Sequence, residues 1–304
     1  VTDLEAKFGP KEATIVPATA KVMPKEETYV QMVWRRFRRH KLAMISLVVL
    51  IVLYSMAIFA PWVAPYHYDH MDFDKISQPP SAEHWFGTDR IGADLFSRVI
   101  WGSRISLSVG FVAAGIAIVL GTVVGAISGY FGGVIDDVLM RFTEIVASFP
   151  TMFLLLTIIA VLPRSIMNIM IVIGATSWPG LARLVRGQFL SLREMDYVEA
   201  AKAIGATDYR IVFTHVLLNT MAPIIVNASL RIGGAILTES GLSFLGLGVT
   251  TPPSWGTILN GGRPLLRSAP WITTIPGIFI FVTVLAFNYV GDGLRDALDP
   301  RATK

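Results

Sequence analysis

The chain has 304 residues, 53% of them hydrophobic and only 16% charged, with no cysteine, and a mean hydropathy of +0.58. Soluble domains carry about 25% charged residues, so this balance excludes an ordinary soluble fold, and the lack of cysteine excludes a disulfide framework, a thiolate metal site and a cysteine nucleophile. The formal net charge of +4 would suggest nucleic acid only as a patch on a soluble domain; here the basic residues lie beside apolar runs, and no nucleic-acid partner is expected.

Residues 1–28 are charged, proline-containing and poor in large apolar groups, the composition of a flexible tail. From Tyr29 the pattern changes. Val30, Val33, Trp34 and Phe37 recur at helical spacing among Arg35, Arg36, Arg38 and Arg39. Residues 29–41 therefore read as an amphipathic helix in the membrane surface, Trp and Phe down and arginines among lipid phosphates; a simple basic cluster that orients the first span is the alternative. Six apolar stretches then approach the length needed to cross a bilayer: 42–64, 105–135, 145–163, 165–182, 211–230 and 268–291. The expected fold is an all-α membrane protein of about six transmembrane helices, with 42–64 as the first, 105–291 as a five-helix core and 292–304 as a tail.

Between the first two stretches, residues 65–104 form a loop rich in Asp and Gly, including Gly87, Asp89, Gly92 and Asp94. The alternating ligands and closing Glu of a calcium loop are absent, so it reads as turns and no metal site is expected. Within the second stretch, Gly121, Gly125 and Gly129 share one helix face and invite close packing by another backbone. Pro179-Gly180, Pro223 and Pro276-Gly277 can bend the later helices and free backbone carbonyls. Residues 240–262 hold too many Gly and Pro for a regular span and read as a buried or interfacial excursion. Arg231 and Glu239 are the ionisable side chains near midplane depth, which makes them candidates for a translocation path or its gate.

Orientation follows from Lys and Arg. Most of them fall in 1–41, in the loops after the second and fourth stretches, and in the C-terminal tail. That bias places both termini in the cytoplasm and 65–104 outside. The inner loop beyond Arg183 is too long for a tight connection. Arg193 to Ile204 is a good local helix former, Gly205 follows where a left-handed cap belongs, and Thr207 or Asp208 can start the next helix. Such a helix, lying across the cytoplasmic mouth with the adjacent small residues Ala200 and Ala201, could receive another protein at close approach or pack on its own bundle.

Glu199-Ala200-Ala201, then Gly205 and Leu217, resembles the EAA loop of ABC-importer permeases, here over 193–218. Leu218 stands where that family usually has proline, which is expected to leave the start of the fifth helix straighter. His84-Trp85-Phe86-Gly87-Thr88-Asp89, Gly102-Ser103-Arg104, Glu239-Ser240-Gly241-Leu242-Ser243-Phe244-Leu245-Gly246-Leu247-Gly248 and Asp292-Gly293-Leu294-Arg295-Asp296 resemble the dipeptide, oligopeptide and nickel importer permeases, as the second of two permease subunits. The resemblance implies a type I, MetI-like bundle with a cytoplasmic coupling helix, where Glu199, Ala200, Ala201, Gly205 and Leu217 meet the ATPase. It also implies a sister permease, two ABC ATPase subunits that bind ATP and Mg, an extracytoplasmic solute-binding protein, a peptide substrate and membrane lipid. This chain has no phosphate-binding Gly-Lys-Ser/Thr loop and no His-Glu-x-x-His pair, so no cofactor or catalytic residue is expected in it. A secondary transporter or channel subunit, or the same architecture importing nickel, is the alternative.

Overall fold

The computed structural model describes residues 28–299, and the expected tail over 1–28 lies outside them apart from Thr28. In chain order the helices are α1 (Tyr29–Arg39), α2 (Lys41–Ile58), α3 (Ala60–Val63), α4 (Leu95–Phe131), α5 (Gly133–Ser148), α6 (Thr151–Val161), α7 (Ile166–Ser177), α8 (Pro179–Leu192), α9 (Asp196–Ala203), α10 (Asp208–Arg210), α11 (Leu217–Phe244), α12 (Trp255–Gly262) and α13 (Trp271–Leu298). A wide π turn over Ile211–Val216 joins α10 to α11.

Thr28 and Gln31 close a capping box that starts α1, and the His40 ring accepts from the Ala43 amide to start α2. Phe37 does not face lipid as expected. It is buried with Ala43 and Ala297, because Gly293 of α13 leaves room: a Cβ there would stand 3.0 Å from the Phe37 ring and 2.4 Å from Ala43 Cβ. Trp34 stays exposed, stacked on Phe37 and under Arg38. Arg36 Nη1 donates to the Asp299 carbonyl at 2.9 Å. Residues 292–298 are thus the last turns of α13, packed against α1 and α2, where the sequence suggested a tail.

The loop expected over 65–104 ends at Asp94, whose Oδ2 accepts from the Ser97 amide at 2.7 Å and caps α4. Its other oxygen lies 2.9 Å from His84 Nδ1. Asp89 accepts from the Ile91 and Ala93 amides and from Arg98 at 2.5 Å. Gly92, at φ +74°, must be glycine, since a Cβ would sit 1.8 Å from the Asp72 carbonyl oxygen. The acidic residues here cap a helix and close turns, and among the described residues no three His, Asp or Glu side chains are placed to hold a metal ion.

α4 has 37 residues, about 55 Å at 1.5 Å per residue, and the bundle is built around it. α7 and α8 pack on it, as do α11 and α2, while α13 lies against α11, α2 and α12. Four helices are long and apolar enough to span: Lys41–Ile58, Leu95–Phe131, Asp208–Phe244 and Trp271–Leu298. The count is six if each of two bent pairs is one span, α5 with α6 at 82° and α7 with α8 at 42°. The expected crossing at 145–163 is therefore broken. Pro150 lacks an amide hydrogen and holds Phe149 extended at ψ 133°. The stretch 165–182 breaks before Pro179, and 42–64 breaks at Phe59 before Pro61.

Gly121, Gly125 and Gly129 bring α4 onto α8. A Cβ on Gly121 would lie 2.8 Å from Leu181 Cβ, one on Gly125 2.4 Å from the Ala182 carbonyl oxygen, and one on Gly129 2.6 Å from Phe189 Cβ. Gly115, on the same helix, has nothing within 4 Å of such an atom. Gly125→Ala should therefore destabilise the detergent-purified chain by about 1–3 kcal/mol through overpacking against backbone, whereas Gly115→Ala should gain up to about 1 kcal/mol from helix propensity. Thermal unfolding followed by tryptophan fluorescence checks this; equal midpoints for the two variants would contradict the packing.

Candidate functional site

The expected EAA residues lie on and beside α9. Val198 and Ala201 point inward, at 0% and 6% exposure, into a cluster with Leu181, Val185 and Phe189 of α8 and with Ile211 and Val216 of the π turn. Glu199, Ala200, Lys202 and Ala203 face outward, and Ile204 is 86% exposed. α9 ends as its sequence suggested. Gly205 has φ +81°, its amide donates to the Lys202 carbonyl, and the Ala206 amide reaches back to Ala201, which makes a Schellman cap. Leu217 begins α11 and packs half-buried on the same cluster. Leu218 is 61% exposed. A widened turn lies immediately before α11, where Asn219 Nδ2 donates to the His215 carbonyl at 2.6 Å.

A polar knot ties the foot of α4 to this region. Arg186 of α8 grips Asp136 of α5 through Nε and Nη2 at 2.6 and 2.5 Å, and Ser128 of α4 donates to the same carboxylate. Arg193 Nη1 donates to the carbonyls of Gly129 and Tyr130, at 3.2 and 3.3 Å, where a helix C-terminus favours a cation. The Tyr130 hydroxyl donates to Asp208 at 2.5 Å. The sequence reading missed these partners. Asp136 and Arg186 are 50 residues apart, and their only local signal is a charge at the end of an apolar run.

Arg231 and Glu239 lie in different surroundings. Arg231 lines a cavity of ≈ 340 Å³ with Ala113, Ala117, Ser177, Asn227 and Thr238. Its Nε donates to Asn227 Oδ1 at 2.6 Å and its Nη1 to the Ser177 carbonyl. That carbonyl is outside the helix ladder because the amide that would meet it, Leu181, turns to the Trp178 carbonyl at the start of α8. A second cavity of ≈ 510 Å³ shares Asn227 and Leu230 and runs on between Leu184, Gln188, Pro223, Asp292 and Arg295. Glu239 lines neither. It is 3% exposed and accepts from Ser243 and Ser254 at 2.6 and 2.7 Å, and Ser254 is the residue that caps α12. Glu239 thus fixes α12 against α11 and does not line the cavities in which a path residue was expected.

Comparison with known proteins agrees with this arrangement. Residues 118–304 match the family described as binding-protein-dependent transport system inner membrane component, and residues 28–80 match the N-terminal TM domain of oligopeptide transport permease C. The chain is 44% identical over 284 residues to the dipeptide transport system permease protein DppC of Alkalihalophilus pseudofirmus, covering 91% of this chain and 93% of that one. It is 43% identical to the oligopeptide transport system permease protein OppC of Bacillus subtilis, covering 88% of each. The glutathione transport system permease protein GsiD of Escherichia coli is 44% identical over 88% of this chain and 89% of its own length. In three dimensions a chain of the MetNI methionine ABC transporter, in inward-facing conformations, superposes with TM-score 0.54 at 19% identity, covering 67% of this chain and 97% of that one.

Because nothing lies within 4 Å of a Cβ built at Gly205, the cost of replacing it is conformational alone. Gly205→Val should cost about 1–2 kcal/mol, from side-chain clash with the local backbone. Gly205→Asn should cost less, since asparagine tolerates the left-handed region. Hydrogen exchange of peptides covering 196–207 checks this, with faster exchange in the Val variant than in the Asn variant; equal rates would contradict the cap.

Proposed function

This chain belongs to the family of binding-protein-dependent transport system inner membrane components and is an ABC-importer permease subunit; we propose that it forms, with a sister permease, a path for dipeptides or oligopeptides that works by alternating access. ATP, with Mg, is bound by two partner ATPase subunits, and an extracytoplasmic solute-binding protein delivers the peptide. Both termini and α9 face the cytoplasm. The orientation is supported by the Lys and Arg bias, and the substrate class by relatives named for dipeptides, oligopeptides and glutathione.

The observation that carries the coupling role is the build of α9. It is short and capped at its end, anchored through Val198 and Ala201 to α8 and the root of α11, and it offers Glu199, Ala200 and Ile204 to whatever approaches. A force on that outer face is passed to α8. For a two-state path, about 5.5 kcal/mol of differential binding turns a 1:99 population into 99:1, so nucleotide binding needs no covalent step in this chain to reverse the access.

Two outcomes follow. In the assembled transporter, Glu199→Ala should leave insertion and expression near wild type while peptide uptake and substrate-stimulated ATP hydrolysis fall together; wild-type transport in an intact complex would contradict the coupling role of α9. Single cysteines at Ala82 and Ala203, both exposed in a chain without native cysteine, should label with an impermeant thiol reagent from opposite sides. Labelling of both from outside intact cells would overturn the orientation.

A further inference from the structure

Arg231 sits near the middle of α11, a helix of 28 residues and so about 42 Å long, which puts it far from either membrane surface. A cation at that depth is costly unless it is paired or works on a cavity. Among the described residues no carboxylate lies within ion-pairing distance of it; the groups that hold it are neutral, the Asn227 side-chain oxygen and the Ser177 carbonyl. They orient the guanidinium and leave its charge uncompensated. The cavity it lines is otherwise small and uncharged, built from Ala113, Ala114, Ala117, Gly234 and Thr238 among others, and its volume falls in the range of small-molecule sites. α8 begins at the break that Arg231 bridges, so the positive end of that helix adds to the potential.

We propose that Arg231 is a specificity-determining residue of the translocation path, reading the C-terminal carboxylate of the peptide as it crosses the midplane. This rests on the peptide-import reading above. A planar guanidinium matches a carboxylate with two parallel N–H donors, and every linear peptide with a free terminus presents one, whatever its side chains. The small apolar walls then accept varied side chains, and the adjoining cavity, reached past Asn227 and Leu230, gives the released peptide a way on.

The test uses the whole transporter in proteoliposomes, with its sister permease, ATPases and binding protein. Uptake of alanyl-alanine is compared with uptake of alanyl-alanine amide, each at saturating binding protein. Any discrimination by the binding protein is common to all permease variants and cancels in the comparison. Arg231→Gln should lower the acid-to-amide uptake ratio about tenfold or more, the size of a lost charge-assisted hydrogen bond, while amide uptake changes little. Arg231→Lys, a point charge without the planar fork, should fall between, and it decides the matter if the Gln variant does not assemble. An unchanged ratio in an assembled variant overturns the proposal. So does an equal loss of both peptides, which would make Arg231 a structural tie between α11 and the α7–α8 break. A wild-type complex that imports neither peptide while its ATPase responds to the binding protein would instead overturn the peptide reading itself.

Discussion

Direct contact between the backbones of α4 and α8 is the constraint on which the rest depends. Gly121, Gly125 and Gly129 remove the side chains that would hold the two helices apart, and in a lipid medium close packing of this kind, with no hydrophobic drive between helices, is what keeps a bundle together. α8, of 14 residues and about 21 Å long, is thereby held along its length like a rod in a groove. Its N-terminal end abuts the break whose Ser177 carbonyl is taken by Arg231. Its C-terminal end leads through Arg193 to α9. One rigid element thus joins the outward-facing knob to the cavity; Arg186, midway along it, holds Asp136 of α5, and the cavity that Arg231 lines opens at the break just before it.

Much of this was legible in the residues. The four-residue glycine repeat predicted a close helix contact, though only the fold supplies α8 as the partner. Gly205 after a run of helix formers predicted a left-handed cap, because that conformation is cheap for glycine alone. Apolar length found the membrane character but not the breaks. The run 145–163 contains no charge, so reading from one charge to the next passes over Pro150, where the chain turns by 82°. Local proline chemistry was the better guide there.

Pairing across long sequence separations was not legible. Nothing near Asp136 names Arg186, and nothing near Glu239 names Ser254; such partners are fixed by how helices pack, which no local pattern encodes. For the same reason Arg231 and Glu239 looked alike in the sequence, two ionisable residues at similar depth. The fold separates them. Glu239 is surrounded by hydroxyls and serves α12, while Arg231 is held by neutral acceptors at the wall of a cavity.

The central claim we propose is that α8, α9 and the root of α11 on which α9 packs move as one body against the part of α11 beyond Pro223 when nucleotide binds. Spin labels on single-pair cysteine variants of the assembled transporter measure it directly, the chain having no native cysteine. One pair, Ser191 with Ala203, reports on the body itself; the other, Gln188 with Val226, spans the ≈ 510 Å³ cavity whose wall both residues form. Binding of a non-hydrolysable ATP analogue should leave the first distance unchanged and alter the second. A first distance that changes while the second stays fixed would show α9 flexing on its own, and would contradict the account.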